Sequence, residues 1–467
     1  MKTLTTALAW RTRGQVGFLS HWICGLGEAM GGGLRRCLPA IFCAALATSA
    51  SAQTEQVIAS LGGKRGDLPE SNGSTLVLPN GHVIGTAAHG GSKVDSGLGV
   101  VFEAIPPTTT TSGWSYHVIY RFQGGQDGAS PLNGLTRGKD GVLYGLTAWG
   151  GQENCGVVYQ LMPPAKSGTG KWEETVLYTF QIDDVADGCK PDNTQLLFDK
   201  KTGSLYGTTE LGGVGYGTFF RLDPPPSAGQ GWSEDYRYEF SGGLDGGYPT
   251  GGLAGNPESI IYGTTQIGGY GAGVVWQYYT AGDANGEMAT AYYFEGGADG
   301  ATPQGGVIGP FPYSSESPDY YLLGTTAAGG GSANCSGGCG TVVAIDLPLL
   351  VGQIGTDSIL HAFQGTDGDE PVSGLAMIGG AAWGTTASGG GSANCGGFGC
   401  GTLFEIQLSD VVNHIHLTYV PVYNFQGGDN DGGFPETGLA GDSSGDVFGM
   451  TAIGGTSNGG TLFEYVP

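Results

Sequence analysis

Apolar and polar residues alternate along this chain in short runs bounded by Gly, Asp, Pro and paired threonines, the pattern of half-buried strands joined by tight turns. One run recurs with little change: VIGTA, LYGLT, LYGTT, IYGTT, LLGTT, AWGTT and VFGMT, its glycine at 85, 145, 207, 263, 324, 384 and 449. The spacings are 60, 62, 56, 61, 60 and 65 residues. A unit of about 60 residues accommodates a four-stranded propeller blade and is too long for a leucine-rich or hexapeptide solenoid turn.

Each unit reads as four strands. A first strand of the form xxGLxxx (Gly134-Leu135, Gly252-Leu253) leads through a turn such as Lys139-Asp140-Gly141 to the GTT strand. A glycine-rich loop follows, then a strand of the type GTLFEI (401 to 406), a variable loop, and a strand of the type VLYTF (176 to 180). GGxDGxxP segments (GGQDGASP, GGLDGGYP, GGADGATP) lead to the next unit. The seventh unit stops at its third strand, Thr461 to Tyr465, while an orphan strand, VIASL (57 to 61), precedes the first. The pattern predicts an all-β, seven-bladed β-propeller of four-stranded blades. Strand 57–61 should complete the last blade, so that 53–467 is one domain with no open edge. An open β-solenoid is the alternative, and it needs neither the orphan strand nor seven copies.

Composition agrees with many short strands. Glycine holds 93 of 467 positions without a Gly-X-Y period, which excludes collagen. Apolar residues make up 39 %, with 22 Tyr, 18 Phe and 8 Trp, enough for a packed core. The chain has 42 acidic against 18 basic residues, a net charge of −24, which argues against nucleic acid and anionic lipid as partners.

Residues 30–52 read as a signal peptide: Arg35 and Arg36, an apolar stretch from Leu38 to Ala47, and Ala50-Ser51-Ala52 before Gln53. Ten apolar residues are too few to span a bilayer. Residues 1–29 lack such organisation and are expected to be untranslated or disordered, with translation starting at Met30. Cleavage would remove Lys2, Arg11, Arg13, Arg35, Arg36 and Glu28, leaving 13 basic and 41 acidic residues and a net charge of −28. The C-terminal GTLFEYVP carries no sorting tail. The expected product is a monomer without a transmembrane segment, secreted, periplasmic or displayed at the cell surface.

The LYGTTxxGG, GTxFxL, VLYxF and GGxDGxxP segments together resemble the bacterial GloVer (Gloeobacter and Verrucomicrobia) tandem repeat, over essentially residues 57–467. The resemblance implies an exported propeller-like protein, often with a C-terminal anchor that this sequence lacks. It implies no established activity and no catalytic residues.

What recurs in most blades serves the blade, so function is sought in what differs. The loop after GTT and the GGxDGxxP loop should emerge on one face. They carry rings that do not repeat: His89, Trp149, Tyr216, Tyr270 and Phe398 after GTT, and Tyr248 and Phe434 in the second loop. Such rings either hold a sugar or peptide or cover their own loops. The same face carries Asp67, Asp127, Asp187, Asp245, Asp299, Asp367 and Asp431. A single Asp before Gly is turn chemistry. Only Asp429 with Asp431, and Asp183 and Asp184 with Asp187, approach a calcium loop, so calcium is a possible ligand and no other cofactor is expected.

Six cysteines follow residue 52. Cys335 and Cys339, and Cys395 and Cys400, sit in equivalent loops and form either two short disulfides or a zinc set, and export favours the disulfides. Cys155 and Cys189 should meet on one face of adjacent blades. His414 and His416 point to one side of a strand, either as a solvent-facing pair or as two metal ligands lacking a third.

Three classes of function remain open: a binding module for carbohydrate or protein, a structural or adhesive surface protein without a defined pocket, and a polysaccharide hydrolase or lyase. No motif singles out a catalytic residue.

Overall fold

Each repeat folds as a twisted antiparallel sheet. In the computed structural model, residues 54–69, 75–91, 97–165, 171–181, 187–192, 194–227, 229–280, 286–313, 319–347, 353–411 and 414–467 are described. The expected export signal and the expected start at Met30 lie outside the described residues. Seven four-stranded sheets follow one another as blades of a β-propeller. Blade 1 spans 76–121, blade 2 136–179, blade 3 197–239, blade 4 247–293, blade 5 307–362 and blade 6 376–424. Blade 7 takes its three inner strands from 440–466 and its outer strand from Thr54–Ser60. The chain from Gln53 to Pro467 forms one compact unit.

The outer strand of blade 7 pairs antiparallel with Thr461–Val466, from Thr54 opposite Val466 to Ser60 opposite Thr461. The strand begins three residues earlier than VIASL and ends one earlier. Leu61 extends the contact by donating its N–H to the Gly460 carbonyl at 2.9 Å. The ring is closed, and the solenoid alternative is set aside.

The repeated residues hold the blades. At the GTT glycine, a Cβ would lie 2.5 Å from the Phe102 ring at Gly85 and 2.2 Å from the Trp276 ring at Gly263. Glycine is there so that a third-strand aromatic can lie flat on the second strand. The first threonine reaches the next blade: Thr325 donates to the Ser373 carbonyl at 3.1 Å, and Thr385 to the Pro435 carbonyl at 2.7 Å. The second threonine pairs with the third strand of its own blade, as Thr209 with Thr218 and Thr451 with Thr461, both at 2.8 Å. In five blades the phenylalanine ending the VLYTF-type strand meets the next blade's third-strand ring. Phe180 packs on Phe220 at 5.2 Å and Phe425 on Phe463 at 5.1 Å between centroids. The core is thus a series of inter-blade layers rather than one central cluster.

Candidate functional site: the glycine-loop face

The two loop types do emerge together. Backbone bridges join Asp67 to His89, Ala129 to Trp149, Ala301 to Ala328 and Asp369 to Ser388, each linking a GGxDGxxP loop to a post-GTT loop. The Cys155–Cys189 disulfide lies on the same face, and the chain also forms Cys335–Cys339 and Cys395–Cys400. Sulfurs bonded to each other are not zinc ligands, so the group of Cys335, Cys339 and Asp369 is a disulfide beside a carboxylate.

The acidic series forms clasps. In six blades the aspartate before glycine accepts from an outer-strand ring and from a backbone N–H. Tyr178 and the Gln181 N–H reach Asp187 Oδ2 at 3.0 and 2.8 Å. Tyr238 and the Ser241 N–H reach Asp245 Oδ2 at 3.0 and 2.8 Å. Tyr120 with Asp127, Tyr292 with Asp299 and Tyr423 with Asp431 repeat the arrangement, and His361 takes the tyrosine's place against Asp367. These carboxylates tie the outer end of one blade to the turn that enters the next. Asp187 and Asp431 also take the following glycine N–H, at 2.7 and 2.6 Å, so their oxygens already face hydrogen-bond donors. Asp429 is exposed beside Asp431, and Asp183 and Asp184 lie outside the described residues. His414 and His416 lie in the outer strand of blade 6, with their side chains outside the described residues.

A second acid, from the strand of the following blade, stands against three clasps. Burial and the Asp127 charge push Glu174 up to about 7, in spite of the Tyr120 hydroxyl beside it. Burial and the Asp431 charge push Glu55 up to about 8, in spite of the Tyr423 hydroxyl beside it. Asp357 acts likewise on Asp299, whose carboxyl is raised by burial first.

The residue before the loop proline takes a positive φ in every blade: Leu68, Ser130, Lys190, Tyr248, Thr302, Glu370 and Phe434, at 49° to 59°. This conformation is costly for residues other than glycine. Each of the seven gives its N–H to a carbonyl of the preceding blade, for example Lys190 to Cys155 at 2.8 Å and Phe434 to Cys400 at 2.9 Å. In five blades its carbonyl also accepts from the loop after GTT, as Lys190 does from Glu210 at 3.0 Å. The backbone bridges the blades, and the side chain is left free to vary.

Of the singled-out rings, four are half-buried and serve loops. His89 lies in the Asp67 bridge, Tyr216 and Tyr248 pack on each other at 5.7 Å, and Phe434 packs against the core layer between blades 6 and 7. The other three are exposed. The four most exposed large apolar side chains among the described residues, Phe398 at 76 %, Tyr270 at 67 %, and Val214 and Leu244 at 61 %, all stand on this face.

Trp149, 41 % exposed, stands at the edge of a charged cluster. Lys190 Nζ lies 5.9 Å from its ring centroid and bridges Glu210 at 2.5 Å and Asp192 at 3.0 Å. Burial first, then Glu210, lifts Asp192 to about 7 in spite of Lys190. Asp192 is buried and its Oδ1 has no hydrogen-bond partner in the structure. Sequence reasoning missed Lys190, Asp192 and Glu210. The available signal was Lys190 at the variable position before the proline, one residue after a disulfide cysteine.

The model of the Gloeobacter/Verrucomicrobia repeat matches residues 70–334 and 172–395. The chain belongs to this repeat family. No curated protein matches it. Among solved structures, the family member is similar to the NanB sialidase from Streptococcus pneumoniae, with 11 % identity and a TM-score of 0.37 over 88 % of this chain and 70 % of that one. It is also similar to the Penicillium chrysogenum alpha-L-arabinanase complexed with arabinobiose, with 11 % identity and a TM-score of 0.39 over 79 % of this chain and 98 % of the other. Neither likeness assigns a residue or an activity in the repeat-family chain.

Proposed function

We propose that this chain is an exported binding module whose glycine-loop face, over blades 2 to 4, takes a neutral carbohydrate, with a protein surface as the alternative ligand. The single observation behind this reading is that three of the four most exposed large apolar side chains, Tyr270, Val214 and Leu244, lie over these blades, which also bear the Trp149 cluster. A pyranose has apolar C–H faces and a hydroxyl rim, and it suits flat rings beside carboxylates. Asp192 Oδ1, buried and unpartnered, is an acceptor for such a hydroxyl. Three disulfides fit an oxidising compartment.

Hydrolysis at this cluster is disfavoured by its geometry. Asp192 and Glu210 both hold Lys190 Nζ, at 3.0 and 2.5 Å, so the pair is clamped on a cation of the chain itself rather than spaced about a scissile bond.

A glycan array followed by calorimetry tests the proposal. Trp149→Ala with Tyr270→Ala should abolish the binding found while changing stability by less than about 1 kcal/mol, as expected of exposed side chains. Binding that survives both changes, or an array with no hits, would overturn it.

A further inference from the structure

A groove of about 980 Å³ runs between blades 1 and 2, from the turns at Asn80 and Gly141 along the outer strand of blade 1 to Tyr120 and Arg121. A ring contact made between other blades is missing beside it. Blades 2 and 7 carry an aromatic immediately before the GTT glycine, Tyr144 and Phe448, and a tryptophan of the next blade packs edge-on against each. Trp232 meets Tyr144 at 6.0 Å and 68°, and Trp114 meets Phe448 at 5.8 Å and 70°. Trp172 is the third tryptophan of this set: it precedes Tyr178 by six residues, as Trp114 precedes Tyr120 and Trp232 precedes Tyr238. In blade 1 the residue before the glycine is Ile84. Among the described residues Trp172 has no ring partner. It packs, like Leu76 and Leu78, against the core layer between blades 1 and 2, stays half-buried and lines the groove.

The charge of the groove opposes that of the molecule. Beyond residue 52 the chain has 41 acidic and 13 basic side chains, yet the groove lining includes Arg137, Lys171 and His117, all exposed, with Glu103 as its one carboxylate. Glu103 is held by His82 Nδ1 at 2.7 Å. Arg121 also lines the groove, but its Nε donates to the Gly91 carbonyl at 3.1 Å. Pro163 and Pro164 form a flat apolar wall near Trp172 in sequence and on the same groove.

We infer that this groove is a second binding site, for an anionic carbohydrate whose sugar ring lies on Trp172 and whose carboxylate or sulfate meets Arg137 and Lys171. A duplex nucleic acid or an anionic membrane would place an extended negative surface against a propeller, residues 53–467, of net charge −28, and be repelled. A single acidic sugar chain in a groove meets mainly the local charges, because salt screens the distant ones within about 10 Å. An acidic peptide offers the charge but no flat C–H face for an indole. The groove lining shares no residue with the Trp149 cluster, and the site does not depend on it.

Calorimetry on the full chain with oligogalacturonate (carboxylate) and a sulfated dextran oligomer (sulfate) tests the inference, with neutral dextran and polyglutamate as controls. At least one acidic glycan should bind, more weakly at higher salt, and binding identifies which anion is preferred. Arg137→Glu with Lys171→Glu should weaken it by at least about tenfold, or about 1.4 kcal/mol. Trp172→Phe should weaken it less, with melting temperature unchanged. Lys171→Gln, an exposed single change, gives an intermediate loss and keeps the test open should the double reversal fail to fold. No binding of either acidic glycan, equal binding of neutral dextran or polyglutamate, or affinity unchanged by the charge changes would overturn the inference.

Discussion

Tyr423, in the outer strand of blade 6, donates its phenolic hydrogen to Asp431 Oδ2 at 2.9 Å. The clasp belongs to the same chain segment that enters blade 7, and Glu55 of the closing strand faces it with a second negative charge. Glu174 repeats this arrangement against Tyr120 and Asp127 between blades 1 and 2. In each case a carboxyl group of one blade is favoured in its protonated form by the blade before it.

Stability should therefore fall as pH rises through neutrality. Both groups sit above the ordinary glutamate value of 4.5, Glu174 at about 7 and Glu55 at about 8. Between about pH 4.5 and 8 the folded chain holds more protons at these sites than the unfolded chain. Their contribution is fully present below pH 4.5 and is lost by about pH 8. Melting temperature measured from pH 5 to 8 should decline, and Glu55→Gln with Glu174→Gln should flatten the decline. A double variant that keeps the wild-type slope would sink this assignment.

Removing the closing strand opens the ring. Deletion through Ser60 exposes the edge of Thr461–Val466. The shortened chain should melt several degrees lower or associate through that edge, as read by calorimetry and light scattering. An unchanged monomer with unchanged melting would show that closure contributes nothing.

The long disulfide should matter most. Cys155 and Cys189 are 34 residues apart, against 4 and 5 for the other two pairs. On the chain-entropy account, Cys155→Ala with Cys189→Ala costs about 3 to 4 kcal/mol in denaturant unfolding. Each short bridge should cost less.

Two equivalent glycines should respond differently to alanine. At Gly263 a Cβ would meet the Trp276 ring at 2.2 Å, whereas at Gly324 the nearest atom is Val307 Cγ1 at 3.0 Å, because blade 5 has Val343 at the ring position. Gly263→Ala should destabilise by about 1 to 3 kcal/mol through overpacking. Gly324→Ala should cost clearly less, and equal losses in urea titration would show that the ring is not the cause.

The fold was legible because its determinants repeat. The GTT glycines, the orphan strand and the disulfide cysteines can be found by aligning the chain with itself. The clasps were only half legible: each aspartate reads as a turn residue and each tyrosine as packing. Their separation varies from 6 residues for His361 and Asp367 to 9 for Tyr178 and Asp187, so no fixed spacing joins them. The positive-φ position was hidden because its residues are Leu, Ser, Lys, Tyr, Thr, Glu and Phe rather than glycine. Beside the groove between blades 1 and 2 stands a ring contact that Ile84 does not supply, and its two cations are masked by the overall acidity. Absence and local charge leave little trace in a pattern search.

The pairing of Thr54–Ser60 with Thr461–Val466 joins the earliest strand of the propeller to the latest, with Gln56 touching Glu464 across 408 positions. Until the last strand has been made, the first has no partner and the edge of blade 7 cannot be covered. A copy that stops short never covers that edge and stays open to proteases and to pairing with other chains. The circle is thus completed only in molecules that carry their final strand.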